Sequence, residues 1–247
     1  MELSLILIYV VIGFVTGFFS GVFGIGGGSI RVPLLVLSGM PLIGAFATNM
    51  FAIPFSSAMG AYAQRKNIVW GVAKLFTLGG VFGIIVATLF VGILSNEVLA
   101  LVFLFAALVT VFAIYLNKIN HNLYDKITLS PLNLFFASFF GNLIIGLRGG
   151  SGGTLFPPLL RSMHVETHHA IATSLFAGVF SSLVALVVYF WRGDVIFLPA
   201  ILIAIMGVLG SYFGSMLSVH TKSSWLKFGL AVVVVVLALS VVYGEFF

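Results

Sequence analysis

Two glycine-rich runs hold most of the chemistry available to this sequence. The first is Gly24-Ile25-Gly26-Gly27-Gly28-Ser29, and the second is Arg148-Gly149-Gly150-Ser151-Gly152-Gly153-Thr154. Glycine lets the backbone bend without steric cost, and each run leads directly into a short apolar stretch with a proline, Pro33 in one and Pro158 in the other. A helix starting there leaves its first N–H groups without intrahelical partners, and these carry the partial positive charge of the helix end. Two such starts facing one another would form an anion cradle around Gly27, Gly28, Gly152 and Gly153. Ser29 and Thr154 are placed to cap the helices or to offer a hydroxyl to the ligand, and Ser151 stands where the first run has Gly26. The competing reading is that the glycines only allow close helix packing.

Arg148 ends an apolar stretch beside the second run, with no acidic residue near it in sequence. An unpaired charge in hydrocarbon costs about 3 kcal/mol or more. The predicted partner is therefore an anionic ligand, and the bidentate guanidinium suits sulfonate, sulfite or carboxylate. Snorkelling to the membrane interface is the alternative. For Arg31, three residues into the first short helix, interfacial packing or snorkelling weighs more heavily, because Phe156 takes its place in the second half. Thr48-Asn49 and Thr173-Ser174 are polar steps in apolar stretches, suited to hydrogen-bond either a ligand or a neighbouring helix. His168, His169 and Lys74 read as interfacial residues. All six acids, Glu2, Glu97, Asp125, Glu166, Asp194 and Glu245, fall at segment ends, which argues against a buried carboxylate relay for protons or sodium. Gly149 to Gly153 also fits a G-x-S-x-G pattern with His168 or His169 as base, but such a match is cheap in a glycine-rich run.

The elements that must position these residues are set by composition. The 247 residues are 61% hydrophobic and only 7% charged, with a mean hydropathy of +1.25. A soluble domain carries about 25% charged residues, so lipid has to be the solvent for most of this chain. A soluble enzyme is excluded. Eleven basic residues spread over loops, with a net charge of +5, do not form a nucleic-acid patch and read as orientation signals. The absence of cysteine removes disulfides and thiolate metal sites. No metal and no cofactor is expected. The start of the chain lacks a basic n-region and an obvious cleavage site, and is read as a membrane segment.

Apolar stretches run at 5–22, 28–39, 43–63, 69–94, 97–116, 131–147, 154–163, 168–190, 195–219 and 224–244. Most are unbroken and long enough for transmembrane helices, whereas 28–39 and 154–163 are too short to cross a core about 30 Å thick. The chain also repeats itself. Shifted by 125 residues, Gly21, Gly24, Gly27, Gly28 and Pro33 fall on Gly146, Gly149, Gly152, Gly153 and Pro158. With two more residues of slippage, Gly80 and Gly83 fall on Gly207 and Gly210. The expected fold is an all-α polytopic integral membrane protein of two inverted repeats, 1–120 and 121–247, in one structural domain. Each repeat has about five crossing segments, including one short broken helix after its Gly-rich break. Counted this way, one side collects Arg65, Lys66, Lys118, Lys126, Arg161, Lys222 and Lys227, which places both termini outside the cytoplasm. Trp70, Trp191 and Trp225 fit interfacial anchors, and Gly13-Gly17-Gly21 and Gly207-Gly210-Gly214 fit helix-packing faces.

The run Gly21-Val22-Phe23-Gly24-Ile25-Gly26-Gly27-Gly28 with Val32-Pro33-Leu34-Leu35, then Ala47-Thr48-Asn49, and their echo from Gly149 to Pro158 and at Ala172-Thr173-Ser174, resembles the TauE/SafE sulfite exporter family over essentially the whole chain. The resemblance implies a multi-pass permease of the bacterial inner membrane that moves small sulfur-containing anions, often outward. It carries over Gly26, Gly27, Gly28, Gly152 and Gly153 as motif positions. The expected partners are a small anionic substrate and membrane lipid, without nucleic acid, and association into a homo-oligomer is left open. An anion channel of the same architecture is the first alternative, ahead of an intramembrane serine hydrolase and a scaffold subunit.

Overall fold

In a computed structural model of the protein, residues 3–91, 127–147, 149–150 and 155–246 are described, with positions 93, 95, 98, 101, 104, 105, 108, 112, 115 and 119 between them. The predicted segment at 97–116 is thus described only at isolated positions. All regular structure among the described residues is helical, as a backbone in hydrocarbon requires, because each N–H and C=O must find its partner within its own segment. The elements are α1 (Leu3–Phe23), α2 (Gly28–Leu37), α3 (Leu42–Ala63), a 3₁₀ turn at Arg65–Asn67, α4 (Trp70–Phe90), α5 (Pro131–Gly146), α6 (Phe156–Ser162), α7 (Thr167–Trp191), α8 (Phe197–His220) and α9 (Ser223–Phe246). Among the described residues, α1, α3, α4, α7 and α8 are long and apolar enough to cross a membrane.

The helix ends follow local chemistry. Ser130 caps α5 by accepting from the Asn133 N–H at 3.1 Å, and Pro131 occupies the first helical position, where no N–H is missed. Between α1 and α2 the chain turns through Gly24, Gly26 and Gly27, all at positive φ, a conformation that side chains with a Cβ resist. Trp70 opens α4, Trp191 closes α7 and Trp225 lies in the first turn of α9, all three exposed. That is the placement of aromatic anchors at membrane–water interfaces.

Packing relies on small residues. A Cβ on Gly17 would collide with the backbone of Gly207, and Cβ atoms on Gly210 and Gly214 would collide with the Phe14 and Phe18 carbonyls, so α1 and α8 touch backbone to backbone. The same holds for α4 and α5, where Gly79 and Gly83 lie against the Phe135 and Phe139 carbonyls. The two contacts correspond under the internal similarity, since Phe14–Gly210 maps onto Phe139–Gly83 and Gly17–Gly207 maps onto Asn142–Gly80. In the latter pair Asn142 Nδ2 donates to the Gly80 carbonyl at 2.6 Å. Between these two pairs α3 packs against α7 and α8, and buries Phe46, Met50 and Ile53 in the main apolar core.

Candidate functional site

Arg31, in the first turn of α2, is fully buried at 0% exposure. The sequence reading that it packs at or snorkels to the interface is overturned. That reading rested on the apolar counterpart Phe156, whereas α2 begins in the interior, with Gly28 pressed against the Asn49 side chain. Arg31 Nε donates to Thr16 Oγ1 at 3.0 Å, and Nη1 donates to Asn49 Oδ1 at 3.0 Å. Thr16 Oγ1 in turn donates to the Ile12 carbonyl at 2.7 Å, and Asn49 Nδ2 donates to the Gly149 carbonyl at 2.8 Å. One hydrogen-bonded chain therefore joins α1, α2, α3 and the second glycine run. Arg31 Nη2 has no partner among the described residues. It lies between Gly27 and Gly207, where added Cβ atoms would come within 3.0 and 3.7 Å of it.

No carboxylate neutralises this cation among the described residues. The ion pairs there are Arg192–Asp194 at 2.9 Å and the weaker His169–Glu166 at 3.8 Å, both beyond or near helix ends. A buried charge held only by neutral hydrogen-bond acceptors keeps most of its desolvation cost. Such a group is suited to attract an anion.

The two glycine breaks are seated in matching ways. Gly24 (φ +73°) lies against Ile171 of α7, and Gly149 (φ +65°) lies against the Phe46 ring of α3. The internal similarity maps these two contacts onto one another, so each break rests on a helix of the other half. Their helix starts differ. α2 has Gly27 as its N-cap in the left-handed region, and no side chain caps it. Ser29 consequently lies inside the helix and is not its cap, because the positive φ that ends the turn falls on Gly27. α6 begins Phe156-Pro157-Pro158, and its two prolines have no N–H to offer.

Of the predicted site residues, Gly27, Gly28, Arg31 and Asn49 come together, with Ser29 buried in the same turn of α2. Thr48 and Ser174 are buried with hydroxyls that have no partner among the described residues, whereas Thr173 Oγ1 accepts the Val69 N–H at 3.1 Å and so holds the start of α4. Arg148, Ser151, Gly152, Gly153 and Thr154 lie outside the described residues. Thr16 and Gly207 were missed. Thr16 sits among Gly13, Gly17 and Gly21, a face that spacing alone identifies as packing, and only the length of Arg31 brings it into the site.

Residues 9–241 match the family model described as sulfite exporter TauE/SafE. A protein of Haemophilus influenzae named a probable membrane transporter protein is 28% identical, over 96% of this chain and 98% of that relative. Another so named, from Methanocaldococcus jannaschii, is 28% identical over 76% of this chain and 73% of its own length. A third, from Bacillus subtilis, is 40% identical over a shorter stretch, 30% of this chain and 28% of that protein. No solved structure gives a significant match. With a match that runs from within α1 to within α9 and relatives named as transporters along its length, the chain is a multi-pass membrane transporter, not an enzyme, and belongs to the sulfite exporter TauE/SafE family.

Proposed function

We propose that the protein carries small sulfur-containing anions, such as sulfite, sulfoacetate or other organosulfonates, out across the bacterial inner membrane by alternating access. The observation that carries this reading is the buried Arg31, with no carboxylate and no partner for one guanidinium nitrogen among the described residues. An oxyanion there accepts from Nη2 and from the N–H groups at the start of α2, and Arg148, Ser151, Gly152, Gly153 and Thr154 of the second run are the further ligands proposed from the sequence. Thr48, Asn49 and Ser174 are the polar groups proposed to complete the site from α3 and α7, with Thr173 one step further along.

Helix directions support an inverted repeat. α1 runs alongside α8 in the same sense, Gly17 by Gly207 and Gly21 by Ser211, and α3 does likewise, with Ser56 by Gly207 and Gly60 by Ser211. α4 returns after the short turn at Arg65–Asn67, and α5 runs in the sense of α4, Gly79 by Phe135 and Gly83 by Phe139. The matched helices α1 and α5 then point in opposite directions, as two repeats with an odd number of crossings require. Because each glycine break rests on the other half, rocking one half against the other alters both breaks together.

The test is thermal stabilisation and flux. Sulfite or a sulfonate raises the melting temperature of the purified wild type, through binding to the folded state, and chloride does not. Arg148→Ala loses that shift, and saturable uptake with counterflow into proteoliposomes separates a carrier from a channel. Asn49→Asp is a sharper probe. It places a carboxylate 3.0 Å from Arg31 Nη1 in a nearly isosteric side chain at the cost of the Nδ2 donor to the Gly149 carbonyl; in the protein that elutes folded, anion affinity falls at least ~30-fold, the effect of about 2 kcal/mol. Full sulfite transport by Asn49→Asp would remove Arg31 from the site.

A further inference from the structure

We infer that a polar half-path leads from Arg31 to the loop of Arg65 and Lys66 between α1, α3 and α8, and that the matching path toward the opposite face is sealed by apolar side chains. It ends at the anion site proposed above and rests on that reading for its cargo. The path follows one face of α8. Gly207 borders Arg31 Nη2 and Ser56, and one turn on, the Ser211 hydroxyl meets Gly60 of α3. A further turn on, Ser215 Oγ and Gln64 Nε2 both donate to the Gly21 carbonyl, at 3.5 and 3.0 Å. From Gly207 to Ser218 the helix rises by about 16 Å, roughly half of a hydrocarbon core about 30 Å thick.

Four buried polar atoms of α8 and of the last turns and end of α3 have no hydrogen-bond partner among the described residues: Ser57 Oγ, Gln64 Oε1, Ser211 Oγ and Ser218 Oγ. In hydrocarbon a polar group with no partner is costly, and serines in apolar helices usually return their hydroxyl to their own backbone. Ser56, Ser181 and Ser182 do so here. A column of hydroxyls and one amide that forgo such bonds is the lining expected where water and a small anion pass. Ser20, one turn beyond Thr16, adds another buried hydroxyl without a partner among the described residues, close before the first glycine run.

In the other half the counterparts of Ser57 and Ser215 are Ser182 and Thr88, whose hydroxyls return to their own backbone. Under the internal similarity Ser20, Gln64, Ser211 and Ser218 become Ile145, Tyr189, Ile84 and Val91, all buried. Tyr189 keeps a hydroxyl, but its ring fills the level that Gln64 occupies in the first half. Beyond it Arg192, paired with Asp194, donates to the Val91 carbonyl at 3.3 Å and ties α7 to the end of α4. The fold as it stands is wet toward Arg65 and Lys66 and dry toward Asp194.

The natural chain has no cysteine, so single cysteines report accessibility without background. Ser57→Cys, Ser211→Cys, Ile84→Cys and Ile145→Cys are introduced one at a time, with Lys66→Cys as the loop reference, in sealed vesicles of each orientation. The probe is 2-sulfonatoethyl methanethiosulfonate, an impermeant small sulfonate that modifies water-exposed thiols. Ser57→Cys and Ser211→Cys are modified from the side that modifies Lys66→Cys and not from the other, while Ile84→Cys and Ile145→Cys resist from both sides. Protection of both serine positions while Lys66→Cys reacts overturns the path, as does equal modification of the isoleucine positions. Sulfite flux in the same vesicles separates the two proposals. Flux without modification at positions 57 and 211 overturns the path and leaves the substrate reading, whereas modification without sulfite flux or stabilisation overturns the substrate reading and leaves the path.

Discussion

Arg31→Met abolishes sulfite-dependent stabilisation and flux while the protein still folds. Truncating one partner of a buried charge contact costs about 2–5 kcal/mol of binding, so affinity falls roughly 30- to 4,000-fold. The fold pays little for this change, for a reason visible in the site. Arg31 is a buried cation without a carboxylate among the described residues, and methionine of similar length removes its desolvation cost. Against that gain stands Asn49 Oδ1, which loses its donor and costs about 1–3 kcal/mol. Melting without ligand therefore moves by about 2 kcal/mol at most, in either direction. Arg31→Lys keeps the charge, but its single ammonium nitrogen cannot occupy the separate positions of Nε at Thr16, Nη1 at Asn49 and Nη2, and its transport falls between wild type and Arg31→Met. A structural role alone predicts the reverse pattern: a large loss of stability with transport preserved in the molecules that fold. Calorimetry and flux on the same preparation decide between them.

Gly17→Val is expected to remove folded protein altogether. A side chain there meets the Gly207 backbone, which has no rotamer to shift, so α1 and α8 must separate. Overpacking costs about 1–3 kcal/mol where side chains can give way, and more where a backbone is in the way. Separation would also pull Thr16 from Arg31. Gly71→Val is the control, because nothing lies within 4 Å of a Cβ at Gly71 and its φ is not in the left-handed region. Size-exclusion yield in detergent should collapse for Gly17→Val and stay near wild type for Gly71→Val. Equal yields would show that the α1–α8 contact is looser than described.

The sequence made some of this legible because the relevant rules are local. Unbroken apolar stretches fixed the helices, the glycine runs fixed the breaks, and Gly13-Gly17-Gly21 with Gly207-Gly210-Gly214 marked faces that do meet. The burial of Arg31 was not legible. An arginine whose counterpart is Phe156 reads as an interfacial residue, and only the position of α2 within the bundle reverses that. Gln64 was not singled out either: it follows an apolar stretch just before Arg65 and Lys66, yet it is 1% exposed and donates to the Gly21 carbonyl. Thr16 carried no signal, because a threonine in an apolar helix bonds back to its own carbonyls whether or not it also serves another residue. The paired asymmetry of Arg31 and Phe156 was plain in the sequence, but its meaning depended on what surrounds each. Phe156 packs edge-on to Phe76 at 4.7 Å, so one helix start is charged and its counterpart is aromatic.

The contact of Gly17 with Gly207 also imposes a timetable on biogenesis. Gly207 follows Gly17 by 190 residues, so at about 5–20 residues per second the ribosome delivers α8 roughly 10–40 s after α1. Throughout that interval Thr16 and Ser20, buried in the finished protein, belong to a helix whose main packing partner does not yet exist. α1 must therefore be held by the insertion machinery, or rest in the bilayer as a free span with its polar face toward lipid, until α8 arrives. Its high apolar content, 21 residues without a charge, is what makes that wait survivable.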